Sequence, residues 1–223
     1  QFKFLEYQLF ITADGSPTLY LPQWDEYYHS KHGAMQESTY VFIQQGLDFW
    51  HQNHPKKTQC DVFEMGFGTG LNAYLTGLEA EKIKVNINYY TIEPHPLPVD
   101  SIKLEQGKKE KIFFEALHQT PWETWETISP FFSLFKANNK IEDFIPQQTY
   151  DLIYYDAFGS RVQPELWSPK ILTPLLQCLK PGGVFVTYAA LGHLKRTLQS
   201  LGLEVHKLPG APGKRHMIRA IFC

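Results

Sequence analysis

Asp61-Val-Phe-Glu-Met-Gly-Phe-Gly-Thr-Gly-Leu-Asn72 sets the architecture of this chain. Val62, Phe63 and Met65 form an apolar run that reads as a buried strand. Gly66, Gly68 and Gly70 alternate into a turn, and a helical segment, Leu71–Leu78, follows. Glycines at a strand-to-helix turn admit dihedrals closed to other residues and let the backbone approach a ligand. A dinucleotide fingerprint requires G-x-G-x-x-G, but Leu71 stands at the third position; a phosphate-binding P-loop requires a following Gly-Lys-Ser/Thr, which is absent. What remains is E-x-G-x-G-x-G with Glu64 at the strand end, a charge that repels phosphate and suits a cationic ligand. A tight connection without a ligand is the plainer alternative. Three alternating glycines weigh against it, because they weaken both elements.

The 223 residues suffice for one well-packed domain with an extension. A net charge of −2 carries no global signal for nucleic acid. Cys60, Cys178 and Cys223 are widely spaced and fit neither a disulfide framework nor a zinc knuckle, which points to a reducing compartment. The histidines show no metal-ligand spacing, so no metal is expected. There is no long apolar run, and Gln1-Phe-Lys-Phe is not a signal peptide, so a soluble cytoplasmic protein with no membrane partner is expected. The missing initiator Met suggests a start after trimming or disorder.

Residues 1–55 read as an N-terminal extension: a hairpin turning at Asp14-Gly15, then a helix from Met35 to Trp50. Over 56–223, strand and helix patterns alternate. Strands are expected at Cys60–Met65, Ile87–Ile92, Phe132–Ala137, Asp151–Tyr155, Gly183–Tyr188, Leu203–Lys207 and His216–Phe222. Helices are expected at Leu71–Leu78, Pro98–Gln106, Lys111–His118, Lys140–Ile145, Pro169–Leu179 and Ala190–Leu201. Such alternation specifies an α/β domain with a largely parallel sheet covered on both faces. The last two strands follow one another around Pro209-Gly-Ala-Pro-Gly213 without a helix, so that pair is expected to be antiparallel. Lys180-Pro-Gly-Gly183 reads as a connecting turn.

Three carboxylates fall at strand ends: Glu64, Glu93 and Asp156. In open α/β sheets, ligands bind outside those ends. Glu93 lies at the distance beyond the glycines where a carboxylate commonly grips ribose hydroxyls. The run Asp156-Ala-Phe-Gly-Ser-Arg-Val-Gln-Pro-Glu-Leu-Trp167 roots a loop at a carboxylate. An alkylamine acceptor arrives mainly protonated, since lysine-like amines have pKa values near ~10.4. Asp156 would orient such an amine and help remove its proton; the alternative is that it closes the loop or holds the cofactor. After the third strand, Asn138, Asn139 and Asp143 are candidates for an adenine contact, with Asn139 preferred. Basic residues cluster locally at Lys103–Lys111, Lys195-Arg196 and Gly213-Lys-Arg-His216 with Arg219, ordinarily solvated faces and here the only footing for RNA.

Read together, the reversed last strand, Gly66-Phe-Gly-Thr-Gly-Leu-Asn72, Asp156-Ala-Phe with Pro164-Glu-Leu-Trp167, Lys180-Pro-Gly-Gly183 and Pro209-Gly with Gly213-Lys-Arg-His-Met217 resemble the MnmC methyltransferase domain. Asp14-Gly-Ser-Pro17 and Glu37-Ser-Thr-Tyr-Val-Phe42 look like that family's N-terminal segments. The resemblance implies a class I S-adenosyl-L-methionine-dependent methyltransferase fold, Rossmann-like and seven-stranded with an antiparallel last strand. It implies methylation of the aminomethyl group on a tRNA wobble uridine, giving 5-methylaminomethyl-2-thiouridine, with the anticodon arm as partner. By the same likeness Gly66, Gly68, Thr69 and Gly70 would cradle the methionine portion of S-adenosylmethionine and Glu93 the ribose. Asp156 would sit where donor methyl and acceptor amine meet, and Glu64 and Asn139 would complete the cofactor site. Two departures stand out: the fused flavin-dependent oxidase of bifunctional members is absent, so a separate oxidase would supply the substrate, and the usual adenine acid is replaced by Asn138-Asn139. Alternatives from other classes are a small-molecule amine N-methyltransferase, a spermidine-synthase-like aminopropyltransferase, and a non-catalytic methyltransferase-like binding module. Against the aminopropyltransferase, Gly159-Ser-Arg161 places a cation where a polyamine pocket would carry an acid.

Overall fold

A computed structural model describes residues 6–98, 107–146 and 148–223. The helix expected at Pro98–Gln106 lies, apart from Pro98, outside the described residues. Strands β1 (Gln8–Ile11), β2 (Pro17–Leu21) and β3 (Glu26–Tyr27) make a small antiparallel sheet whose first turn falls at Asp14-Gly15. Asp14 closes that turn by accepting from Thr12 Oγ1 at 2.6 Å and the Ser16 amide at 3.1 Å. A helical run over 34–53, here α1, follows; its middle, Thr39–Asp48, is wound with wider π-type turns.

Strands β4 (Gln59–Met65), β5 (Asn86–Ile92), β6 (Trp125–Ser129), β7 (Phe132–Ala137), β8 (Tyr150–Tyr155), β9 (Leu179–Thr187), β10 (Leu203–Pro209) and β11 (His216–Phe222) form the main sheet. Its order is β10-β11-β9-β8-β4-β5-β7-β6. The β7-β5-β4-β8-β9 block is parallel, and β11 is inserted antiparallel between β9 and β10. That is the class I methyltransferase arrangement. One strand more than the expected seven is present among the described residues: β6 hairpins onto β7 as an antiparallel edge. Helices α2 (Leu71–Ile83), α3 (Lys108–Gln119), α4 (Pro169–Leu176) and α5 (Gly192–Ser200) complete the layers. The helix expected at Lys140–Ile145 is a single tight turn, Ile141–Asp143. Lys180-Pro-Gly-Gly183 is not a connector but lies within β9, where the pairing with β8 shifts register.

Both faces of the sheet are covered, which is why its central strands read as continuous apolar runs. Period-2 alternation sends Val62, Tyr89, Leu152, Tyr154 and Val186 to one side, against Phe42, Trp50 and Tyr74 of α1 and α2. Phe63, Ile153, Tyr155 and Phe185 face α4 and α5 through Leu172, Leu175, Leu194 and Leu198. At the opposite end from the glycine turn, Lys180 Nζ bridges Asp61 and Asp151, both at 2.6 Å, and ties β4, β8 and β9 together.

Candidate active site

Strand order reverses at β4, whose neighbours β5 and β8 lead away in opposite directions. A crevice opens at the carboxyl ends of such strands. Three hydrogen bonds prolong the ladder past them: Gly66 N–H to Ile92 O at 3.0 Å, Glu93 N–H to Ala137 O at 2.9 Å, and Asp156 N–H to Met65 O at 3.2 Å. The residues immediately after β4, β5 and β8 are thereby held in register around one cavity of about 680 Å³. That volume lies within the usual range for small-molecule sites.

Gly66, Gly68, Glu93 and Asp156 line this cavity. Gly66 has φ +89, and a Cβ there would meet the Asp156 carbonyl oxygen at 3.2 Å. Gly68 has φ +50, and a Cβ there would stand 3.1 Å from the Tyr28 ring. Both positions need glycine for backbone angle and for space. Glu93 is buried, and its carboxylate is held by the Gly68 amide at 3.1 Å and the His95 amide at 2.9 Å. Burial pushes its pKa up to about 7. Asp156 Oδ2 accepts from Asn72 Nδ2 at 2.8 Å. Its pKa is also pushed up to about 7, mainly by burial, with Asn72 opposing.

The other expected site residues sit elsewhere. Glu64 is wholly buried behind the turn, on the α1/α2 side of the sheet, and does not line the cavity. Thr69 and Gly70 are buried at the head of α2; the Thr69 carbonyl is met by His118 Nε2 at 3.2 Å. Asn139 is exposed, with its Oδ1 taken by the Lys140 amide at 2.9 Å, while Lys140, Ile141 and Glu142 border the cavity beside it. Asn138 and Asp143 are exposed outside it.

A second wall has no counterpart in the sequence reading. Residues 24–32 of the N-terminal extension roof the cavity opposite the glycine turn. Trp24 and Tyr28 pack edge-on against Phe158, with ring centroids 5.3 and 5.1 Å away. Arg161 Nη2 donates to the carbonyls of Trp24 and Asp25 at 3.1 and 2.9 Å and meets Glu26 at 3.1 Å. The loop after β8 is pinned from within as well. Trp167 Nε1 donates to Phe158 O at 2.8 Å, Tyr188 Oη donates to Ala157 O at 2.9 Å, and Tyr155 Oη donates to Leu166 O. Trp167 is therefore the anchor that shapes the Asp156 loop. Lys214 sits 3.6 Å over the Tyr188 ring and 2.6 Å from Glu37, so it is already partnered. The signal for this wall was the aromatic cluster Trp24, Tyr27 and Tyr28 just after a strand pair.

The S-adenosyl-L-methionine-dependent methyltransferase family matches residues 131–222. The tRNA 5-methylaminomethyl-2-thiouridine biosynthesis bifunctional protein MnmC of Cupriavidus necator is 28% identical over 230 residues, covering 95% of this chain and 34% of that protein. The MnmC protein of Idiomarina loihiensis is 28% identical over 213 residues, covering 87% and 35%. The chain is similar to both over most of its own length. It spans about a third of the length of the curated relatives it matches. The crystal structure of MNMC2 from Aquifex aeolicus superposes with a TM-score of 0.82 at 22% identity, over 98% of this chain and 70% of that one, and so shares the fold. The chain thus carries the class I methyltransferase fold along almost its whole described length.

Proposed function

We propose that this chain transfers a methyl group from S-adenosylmethionine to the aminomethyl nitrogen of a tRNA wobble uridine. The carrying observation is the meeting of Gly66, Gly68, Glu93 and Asp156 in one cavity. The residues present suit the cofactor. A backbone cradle that a Cβ would fill and a buried carboxylate held only by amides fit a nucleoside with a ribose diol, and the acidic lining fits a sulfonium and an ammonium. When bound, S-adenosylmethionine supplies an electrophilic methyl group. Gly66 and Gly68 would hold its amino-acid portion and Glu93 its ribose hydroxyls, while Ile141 offers an apolar wall for the base.

Asp156 stands across the same cavity. Its carboxylate attracts a protonated alkylamine and, with a pKa pushed up to about 7, accepts the proton the amine must lose before it attacks. Fixing the loop through Trp167 and Tyr188 restrains the position of that carboxylate, and positioning supplies much of the rate in an in-line displacement. Exposed cations at the cavity rim, Lys31 and Lys140, provide footing for the phosphates of an anticodon arm. An oxidase would deliver the free aminomethyl group, and the reaction belongs in the cytoplasm. No described helix is long and apolar enough to cross a membrane.

The test is transfer of labelled methyl from S-adenosylmethionine to tRNA bearing 5-aminomethyluridine. Label in the wobble nucleoside is the expected result. Activity on free amines but not on that tRNA would move the assignment to a small-molecule N-methyltransferase, and lack of cofactor binding would end both.

A further inference from the structure

Behind the glycine turn lies a group of polar atoms sealed from solvent. Both carboxyl oxygens of Glu64, Oδ1 of Asn72, Oη of Tyr89 and Oγ1 of Thr91 are buried without a hydrogen-bond partner. None of the four residues is more than 3% exposed. They are neighbours: Glu64 lies against Thr91, Asn72 and Tyr89 without closing standard hydrogen bonds to them. Unsatisfied buried groups of this kind are costly, and here five share one pocket.

Counting donors resolves them. If Glu64 were ionised, the Tyr89 and Thr91 hydroxyls would both be drawn to its carboxylate and Asn72 Oδ1 would be left without a donor. Asn72 would then gain by turning its NH₂ toward Glu64. That turn would present Oδ1 to Asp156, which Asp156 could meet only as the neutral acid. If Glu64 is instead protonated, its O–H donates to Asn72 Oδ1 and the hydroxyls donate to its carbonyl oxygen. Asn72 Nδ2 stays on Asp156 Oδ2, where it stands at 2.8 Å. Every atom of the group is then used.

We propose that Glu64 is protonated, that its O–H donates a hydrogen bond to Asn72 Oδ1, and that through this amide it fixes Asp156 as the carboxylate facing the acceptor. Glu64 is thus a positioning residue rather than a cofactor ligand, and one proton serves two carboxyl groups joined by one amide. The role assigned to Asp156 rests on the proposed function; the proton on Glu64 does not. The surrounding charges are few. Asp156, Tyr89 and Tyr154 face Glu64; Glu37, Lys214 and Tyr188 act on Asp156 from the other side. Burial raises the affinity of Glu64 for its proton well above the ordinary carboxylate range, as does the nearby Asp156.

Glu64→Gln keeps a donor toward Asn72 and an acceptor toward the hydroxyls, whereas Glu64→Leu keeps neither. Infrared spectra at pH 8.5 to 9, where Glu93 and Asp156 with pKa values of about 7 are ionised, should show a protonated-carboxyl stretch in the wild type that is missing in Glu64→Gln. Turnover and S-adenosylmethionine affinity of that variant should both stay within about threefold of wild type. Glu64→Leu should lose at least about tenfold in turnover with cofactor affinity kept, and the acidic limb of its pH profile should move. Absence of a Glu64-dependent band overturns the proposal, as does a Gln variant as slow as Leu. Cofactor affinity falling in step with turnover would overturn it too, by placing Glu64 on the cofactor. Should the Leu variant fail to fold, the infrared band and the Gln variant still decide. A wild type without activity on tRNA would sink the proposed function while leaving the infrared test in force.

Discussion

Replacing Glu93 by Gln should change stability with opposite sign at pH 5 and pH 8 in the cofactor-free protein. Glu93 has its pKa pushed from 4.5 up to about 7 by burial. The folded state therefore binds its proton more tightly than the unfolded chain. Stability associated with the protonated form is complete below the unfolded value of 4.5 and drains away as pH climbs toward 7. Above pH 7 the buried charge costs roughly 3 kcal/mol, from about 2.5 units at about 1.4 kcal/mol each. At pH 5 the same group costs only about 1 kcal/mol. Gln escapes that cost but brings another, because its NH₂ must face one of the two amides, of Gly68 or His95, that the carboxylate accepts. One lost hydrogen bond to a buried amide is worth about 1–2 kcal/mol. The variant should be more stable than wild type by about 1–2 kcal/mol at pH 8 and slightly less stable at pH 5, a swing of about 2–3 kcal/mol. Urea unfolding of both proteins at the two pH values measures it, and groups that titrate identically in both cancel. A difference between the proteins that does not vary with pH would mean that Glu93 ionises freely in the fold, and the argument for a charge-hungry cavity would be wrong.

Asp156→Asn should lower methyl transfer by about 10²–10⁴-fold while S-adenosylmethionine affinity by calorimetry changes little; equal losses would make Asp156 a cofactor ligand. Gly68→Ala combines a φ of +50 with a Cβ 3.1 Å from Tyr28, so it should weaken cofactor binding by about tenfold, from a left-handed backbone cost of about 1–2 kcal/mol; unchanged affinity would remove the cradle from that position. Lys31→Ala and Lys140→Ala should each weaken tRNA binding and lower the salt slope by about one. A slope equal to wild type in both would place the RNA on another face.

The central strands were legible because burial on both faces makes them unbroken apolar runs, and six of the seven begin within one residue of the expected position. Two kinds of element were less visible. Strand β6 is an exposed edge on which Trp125 remains 44% accessible, so Trp125-Glu-Thr-Ile-Ser129 lacks the apolar run that marks a core strand. Lys140–Ile145 has helix-forming residues but contributes only the buried Ile141 and the half-buried Phe144 to the core, too little burial to draw out more than one turn. The same contrast holds at the site. Gly66, Glu93 and Asp156 lie one step past a strand and Gly68 three, where local pattern locates them. The wall at 24–32 belongs to the site through contacts with residues 40 or more positions away, Gly68 and Thr69 on one side and Phe158 and Arg161 on the other, and no local pattern encodes that.

Those distant contacts have a consequence for how the protein is made. Arg161 holds the carbonyls of Trp24 and Asp25, Lys214 meets Glu37, Tyr40 Oη donates to Pro209 O, and Arg219 donates to Gln45. On the ribosome, residues 24–45 therefore emerge long before their partners exist. Strand β11 must also insert between β9 and β10 before the last of these contacts can close. The aromatic face of the N-terminal segment has to wait, exposed, through most of translation, which makes it a natural point for a chaperone to hold. The contacts of Glu37, Tyr40 and Gln45 should accordingly close only after residue 219 is released.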